Sequence, residues 1–340
     1  MLRSSNIQNS QLDFNDNVYV DSSIVPDRIR TRSNDVLMCV RNGSKSLVGK
    51  TALISDEHSD LAWGAFMTVL RPNTNNTLLY HYLNSPSFRK QVFPDLETAT
   101  VKQITMSTLN RIKLLVPNTD EQDKISDFLS ALDKRIEKQR QLVEALKSYK
   151  RGVSNRIFRD MYDSSWRTIC LGDICSITMG QSPDSSSYNT DGIGVPLVQG
   201  NADITNGITT PLRYTSNPTK VCESGSIILS VRAPVGTVSR ANQRVCLGRG
   251  VCAITSSNTD FIYQLLLCYQ DSWKRIEQGG TFTAISGDDI GSFSVSVPDC
   301  ELQNRIAVFL SQFDTKIRNE DIILQSLQKQ KSALLQQLFI

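Results

Sequence analysis

In two stretches of the chain, apolar residues recur at three- and four-residue steps, the spacing that lines one face of a helix. The first carries Ile125, Phe128, Leu132, Ile136, Leu142, Val143, Leu146, Tyr149, Val153 and Ile157. The second carries Ile306, Phe309, Phe313, Ile317, Ile323, Leu327, Leu334 and Leu338. Asp120 and Glu121 open the first, acidic residues where the helix dipole favours them. Neither stretch contains proline, and the first has one glycine, Gly152. About 39 residues at 1.5 Å each give a rod of roughly 58 Å, which would overrun a small domain. Two rods with one apolar stripe each bury those stripes most economically against one another, which predicts an intramolecular coiled coil. Its seam is assigned to Ile125, Phe128, Leu132, Ile136, Leu146 and Val153 on one helix, and to Ile306, Phe309, Phe313, Ile317, Leu327 and Leu334 on the other. The alternative packing lays each helix on its own neighbouring domain.

The rest of the chain reads differently. Short apolar runs such as Val36 to Val40, Ile227 to Val231 and Phe293 to Val297 lie between Gly, Asn, Pro and Ser, the signature of strands and turns. Short helices are expected at 78–83 and 261–277. Each β-rich part ends at a Val-Pro, Val116-Pro117 and Val297-Pro298, where proline closes the last strand. The fold class is therefore α+β.

The chain also repeats itself. Val116-Pro117, Gln122, Ile125, Phe128-Leu129, Asp133 and Ile136 recur as Val297-Pro298, Gln303, Ile306, Phe309-Leu310, Asp314 and Ile317, all at an offset of 181 residues. The offset extends upstream through Thr100 and Thr281, Ile104 and Ile285, and Leu109 and Ile290. Further back the elements recur with different loop lengths. Asp35 to Arg41 resembles Ser226 to Arg232, Gly64 to Met67 resembles Gly250 to Ala253, and Leu2 to Asn6 resembles Leu197 to Asn201. The period is too long for a solenoid, so this is a duplicated unit of a variable domain followed by a long helix. It divides the chain at 1–118, 119–160, 161–299 and 300–340.

Composition narrows the chemistry. A length of 340 residues is enough for two or three domains. The net charge of +3 permits nucleic acid as a partner without demanding it. Two histidines, His58 and His81, argue against a histidine-rich metal site. Eight cysteines without a Cys-x-x-Cys pair, no apolar leader and no run near 18 apolar residues point to a reduced, cytoplasmic protein off the membrane.

Enzyme motifs are absent or broken. Gly43-Ser-Lys-Ser-Leu-Val-Gly49-Lys50-Thr51 resembles a phosphate-binding loop, but five residues separate its glycines where four are needed, and no helix pattern follows. There is no Gly-x-Gly-x-x-Gly, no Gly-x-Ser-x-Gly, and no Asn-Pro-Pro-aromatic tetrad of the kind that handles a flipped base. The pattern is that of a binding protein.

A variable β-rich domain, then Val-Pro-x-x-x-Glu-Gln-x-x-Ile-x-x-Phe-Leu-x-x-Leu-Asp and a long helix, all twice, resembles the DNA-specificity subunit of type I restriction-modification systems. The opening of the second unit, Trp166 to Ile174 followed by Gly180-Gln181-Ser182-Pro183, fits as well. The resemblance implies two target recognition domains, each reading half of a split double-stranded DNA site. It implies that the helices form an antiparallel coiled coil that sets the spacing and docks two methyltransferase subunits, which recruit endonuclease-translocase subunits. S-adenosylmethionine, ATP and Mg would then belong to those partners, and no cofactor to this chain. One departure stands out: 31 residues from Trp166 precede Leu197, whereas Met1 alone precedes Leu2. The first recognition domain is thus expected to lack its opening segment. That leaves open a start codon assigned too late, a recombined or silent cassette, or a segment obtained from another chain, and with them a fragment that reads only a half site or a scaffold or inhibitor that docks partners without reading DNA.

DNA is contacted by Arg, Lys, Asn, Gln, Ser and Thr on loops. The candidates are Gln181, Ser182, Gln199, Asn201, Arg232, Arg249 and Thr281 in the second unit, and Asn6, Arg41, Lys45, Lys50, Lys102 and Gln103 in the first. Arg41 and Arg232 lead, since both follow the same strand and precede a glycine-containing loop.

Overall fold

The computed structural model describes the chain except residues 72–75, 99–101, 161–164, 274–283 and 340. It divides into two compact units, Met1–Leu142 with Glu320–Ile340, and Val143–Asn319. Each unit therefore holds one half of each long helix.

The first unit opens with a hairpin of β1 (Ile7–Gln8) and β2 (Gln11–Leu12), followed by β3 (Val36–Cys39), β4 (Thr51–Leu53) and β5 (Met67–Leu70). The last three form an antiparallel sheet with β3 in the middle. The four residues of β3 are all buried, as a central strand of Val-Leu-Met-Cys should be. Helices α1 (Asn76–Leu83), α2 (Pro86–Thr98) and α3 (Met106–Arg111) precede the long α4 (Thr119–Asn155), which continues as one π-helical turn to Asp160.

The second unit repeats this plan with more strands. β6 (Arg167–Cys170), the one-turn α5 (Leu171–Ile174) and β7 (Cys175–Met179) open it. They are followed by β8 (Tyr188–Asn189), β9 (Val195–Val198), β10 (Ile204–Thr205), β11 (Ile208–Thr209), β12 (Arg213–Thr215) and β13 (Val221–Cys222). Next come β14 (Ile227–Ser230), β15 (Val238–Arg240), β16 (Val245–Leu247), β17 (Val251–Ser256), α6 (Thr259–Cys268), α7 (Gly287–Gly291), β18 (Ser294–Val297) and the long α8 (Cys300–Leu338). One sheet runs β10-β11-β15-β14-β17-β7, another β13-β16-β9-β12-β8, and β18 pairs with β6. Helix α6 breaks at Tyr269, the chain is helical again over 270–273, and residues 274–277 of the expected helix lie outside the described part.

The long helices pair antiparallel within each unit. In the first, Leu132 and Ile136 of α4 cluster with Leu324 and Leu327 of α8, and Leu129 packs with Leu335 and Phe339. In the second, the Tyr149 ring lies 5.6 Å from that of Phe313, tilted by 49°, and Val153 packs with Ile306, Leu310 and Phe313. The buried line differs from the expected seam at one equivalent step on each helix. Leu129 and Leu310 are fully buried, while Phe128 and Phe309 point outward. Both sequences offer a Phe-Leu pair at this step, and spacing alone does not say which member faces in. Val143, Leu324 and Leu335 are further buried positions outside the expected seam. Leu146, Ile317 and Leu334 are half-buried.

Polar pairs set the register of the helices. Lys331 Nζ lies 2.5 Å from Asp133 Oδ1, and Lys150 Nζ 2.5 Å from Asp314 Oδ1. At the offset of 181, Asp133 maps to Asp314 and Lys150 to Lys331, so this is one bridge made twice. Between them Gln139 Nε2 donates to Glu320 Oε2 at 2.7 Å and to Glu320 O at 2.9 Å. Those two residues are each other's counterparts in the repeat.

The structure also corrects the equivalence of the β-rich parts. Gly64 N donates to Leu2 O as Gly248 N donates to Val198 O. Asn9 and Ser10 turn the first hairpin in left-handed conformations, as Asn206 and Gly207 turn the second. These pairings match Gly64 with Gly248, Met67 with Val251, and Asn6 with Asp203. Alignment by residue type had placed each two positions away, because loop lengths differ where strand register does not. Among the described residues no helix is long and apolar enough to cross a membrane.

Two outcomes follow for stability. Asp314 accepts from Lys150 and from Gln264 Nε2 at 2.7 Å, so Asp314→Ala leaves a half-buried ammonium and a buried amide without their acceptor. We expect a loss of about 2–3 kcal/mol in urea unfolding, against less than about 1 kcal/mol for an exposed control, Lys147→Ala. The second concerns His81. Burial first, then the nearby Lys331 ammonium, push its imidazole down to about 3. A depressed histidine contributes its full stability above the ordinary value of about 6.5, and loses it as pH falls from there towards 3. Thermal melts should show a decline below pH 6.5 that flattens in His81→Ile, the residue the second unit carries as Ile262.

Candidate nucleic-acid interface

In the second unit the site begins where β14 and β17 run past their ends. Ser230 pairs with Val251, and the ladder continues as Val231 N donates to Gly250 O at 2.9 Å. Beyond it Arg232 bridges Ala284, and residues 248–251 turn, with Val251 N donating to Gly248 O at 3.2 Å. Arg249 N donates to Ser182 Oγ at 3.2 Å, and Gln181 N to Leu247 O at 2.9 Å. Gln199 lies beneath: its backbone N donates to Asp203 Oδ2 at 2.7 Å and its Nε2 to the Tyr188 hydroxyl at 3.2 Å. Asn201 follows two residues on, exposed.

Glycine makes this convergence possible. A Cβ at Gly250 would stand 2.1 Å from Gln199 O, and one at Gly180 would stand 2.1 Å from Gly248 O. Three segments, 180–182, 199–201 and 248–250, meet at backbone distance because these positions carry no side chain. Six of the seven residues expected from the sequence are thereby brought to one end of the sheets, with Gln181, Asn201, Arg232 and Arg249 exposed and Ser182 and Gln199 half-buried. Thr281 lies outside the described residues.

The cations differ in their employment. Arg240 is held by Asp260 at 2.6 Å and lies 4.2 Å from the Tyr263 ring, and Arg244 is paired with Glu223. Arg232 and Arg249 have no acidic partner among the described residues. An exposed guanidinium left unpaired at a loop cluster is free to bind an anion or a base edge.

The first unit presents a different surface at the same place. Ile104 N donates to Val40 O at 2.8 Å, and Ile285 N to Val231 O at 2.9 Å. Gln103 bridges Arg41 just as Ala284 bridges Arg232, so Arg41 and Arg232 are structural counterparts. Where the second unit has Gly250, the first has Phe66, 52% exposed, with the Arg41 guanidinium 5.3 Å above its ring. The loop from Arg41 to Gly49 replaces the shorter one from Arg232 to Gly236 and carries Lys45. Gly49 and Gly236 close the two loops with φ of +85° and +88°. Lys102 and Gln103 are half-buried beside Arg41, and Lys50 reaches to 3.5 Å from Ile7 O. Asn6 is the exception. It is fully buried, donates to Asp13 O at 2.9 Å and Asp16 O at 3.1 Å, and accepts from Arg3 N. It ties down the N-terminal loop and presents nothing to solvent. Phe66 escaped the sequence reading because an aromatic in a β-rich run reads as core, and only its exposure identifies it.

Comparison with known proteins places both units in one family. The family model described as the type I restriction modification DNA specificity domain matches residues 6–147 and again 163–329. A protein of Methanocaldococcus jannaschii named for the specificity subunit of the type I restriction enzyme MjaX is 30% identical over 359 aligned residues, covering 98% of this chain and 84% of that one. The EcoKI specificity subunit of Escherichia coli is 25% identical over 58% of this chain and 46% of its own. Among solved structures, one from a study of complex assembly and conformational transition of the type I system matches with a TM-score of 0.58 at 27% identity, covering 92% of this chain and 83% of that chain. The specificity subunit of M. genitalium shares the fold, with a TM-score of 0.63 at 20% identity over 92% of this chain and 85% of its own. With two matched domains, each followed by a long helix, the chain belongs to the type I restriction-modification DNA-specificity family, the non-catalytic targeting subunits of these systems.

Proposed function

We propose that each unit reads one half of a split DNA target with the loop cluster beyond its central strand, and that the paired helices dock methyltransferase subunits. The observation that carries the reading is the shared position of Arg41 and Arg232, an exposed arginine two residues past the same strand in both units. Arginine is suited to the O6 and N7 of guanine, and the side-chain amides of Gln181 and Gln199 to adenine. Lys45, Lys50 and Lys102 are suited to phosphates. The two clusters differ in residue content, Phe66 and an inserted lysine loop against Gly250 and a glutamine pair, which favours two different half sites.

The outer face of the helices supports the docking part. Phe128 and Phe309 are exposed counterparts, and so are Leu142 and Ile323. An apolar residue turned outward at the same step of both helices suits one partner bound twice. The endonuclease-translocase subunits would follow through those partners.

Assembled with its methyltransferase, the chain should direct adenine modification to a split motif with two unlike halves, as genome-wide mapping would reveal. A palindromic motif would instead mean that the second unit alone reads DNA, in a dimeric assembly. Arg232→Ala should relax one position of one half site by about 1–3 kcal/mol and leave the other half unchanged. Lys45→Ala should weaken binding evenly across sequences and lower the salt slope by about one. Gly250→Ala should abolish the same half-site recognition as Arg232→Ala and cost about 1–3 kcal/mol of stability, since the added methyl collides with backbone. Phe128→Asp should reduce the number of bound methyltransferase copies from two to one by mass photometry.

A further inference from the structure

In the second unit one side chain touches two of the converging segments at once. Tyr188 lies on the edge strand β8, paired with Thr215 of β12. Its hydroxyl donates to Pro183 O at 3.1 Å and accepts from Gln199 Nε2 at 3.2 Å. Pro183 closes the Gly180-Gln181-Ser182-Pro183 stretch, and Gln199 is the first residue past the end of β9.

Counting protons fixes the direction of these bonds. A phenol has one proton, and a backbone carbonyl can only accept. The proton therefore goes to Pro183 O, which leaves the hydroxyl oxygen as an acceptor. That turns the nitrogen of the Gln199 amide, and not its oxygen, towards Tyr188. An amide nitrogen carries two protons, so one N–H is used and one remains. The Gln199 Oε1 accepts no hydrogen bond among the described residues and is not sealed from solvent. The backbone of Gln199 is fixed as well. Its N–H donates to Asp203 Oδ2 at 2.7 Å, and its carbonyl lies where a Cβ on Gly250 would stand 2.1 Å away. Gln181, by contrast, is exposed, and its side-chain amide has no partner among the described residues.

A held amide and a free one read bases differently. In the major groove guanine presents two acceptors, N7 and O6, whereas adenine presents an acceptor at N7 and a donor at N6. A free amide can turn to offer protons to both acceptors of guanine. The held one offers one acceptor and one donor. It meets adenine with both, and sets its oxygen against one of guanine's acceptors. We propose that Tyr188 is a positioning residue for base selection: by holding the Gln199 amide, it makes Gln199 select adenine over guanine at one position of the half site read by the second unit. The proposal rests on the reading of this loop cluster as the surface that contacts DNA. Tyr188 acts through Gln199 and touches no base itself.

The test gives the whole chain, assembled with its methyltransferase, a library of randomised duplex DNA, and sequences the duplexes that become modified. Gln199→Ala should flatten the base preference at one position, where the unaltered chain prefers adenine. Tyr188→Phe keeps the ring and removes only the hydroxyl. It should lower the preference for adenine over guanine at that same position about tenfold. Every other position, including the one that Arg232→Ala relaxes, should stay as it was, whereas a merely structural role would weaken the half site evenly. Added to Gln199→Ala, Tyr188→Phe should change nothing further. The proposal is overturned if Tyr188→Phe leaves the Gln199 position as it was, relaxes other positions, weakens the half site evenly, or still acts when Gln199 is absent. It is overturned too if the base preferred at the Gln199 position is not adenine. If Gln199→Ala alters no position while Arg232→Ala does, the proposal falls and the reading of the cluster stands. If neither alters any position, both fall.

Discussion

The pairing of α4 with α8 is the constraint on which the rest of the molecule depends. Neither helix has a core of its own, and each β-rich part is closed on one side by residues from both. Leu129 and Leu335 sit in one core, Leu310 and Val153 in the other. Apolar packing alone would let such helices slide by a turn, since Leu, Ile and Val recur at every step. The two Lys–Asp bridges remove that freedom, because a shift of one turn would leave two ammonium and two carboxylate groups half-buried and apart. Register in the helices thus decides which residues complete each core.

Within each unit, the candidate contact residues are placed by strand ends rather than by helices. β3 and β14 are buried along their whole length, and the chain emerges from them at Arg41 and Arg232. The rigid strand determines where the arginine begins, and the glycines around it determine how closely other loops can approach. The second unit uses that room to gather three loops at backbone distance. The first fills it with an aromatic ring under a guanidinium and a longer lysine-bearing loop. The same scaffold therefore presents two chemistries, as loops on a rigid frame commonly do.

Much of this was legible in the sequence. The duplication and the long helices follow from spacing at a constant offset of 181, and the buried strands 36–39 and 227–230 from apolar runs that recur at an offset of 191. Legibility failed at particular residues. Asn6 aligned by type with Asn201, yet hairpin register makes it the counterpart of Asp203, and it serves as a buried cap. Phe128 and Phe309 carry the right period for the seam, yet the adjacent leucines occupy it. Phe66 has the composition of core, yet it stands half exposed beneath Arg41. In each case a neighbour distant in sequence decides, a hairpin, a facing helix or an opposing strand, and one-dimensional patterning carries no record of it.

The contact between Gln139 and Glu320 has an evolutionary consequence. A duplicated chain begins with identical halves, and identical halves can assemble as two separate copies as readily as within one chain. Here the counterpart positions carry unlike residues that face each other, an amide donating to a carboxylate. Two copies of the C-terminal helix paired the same way would set Glu320 against Glu320, two carboxylates at hydrogen-bond range with no proton to share at neutral pH. The substitution of one residue in one half turns a self-complementary surface into a directional one. The pair favours two unlike helices over two copies of the second.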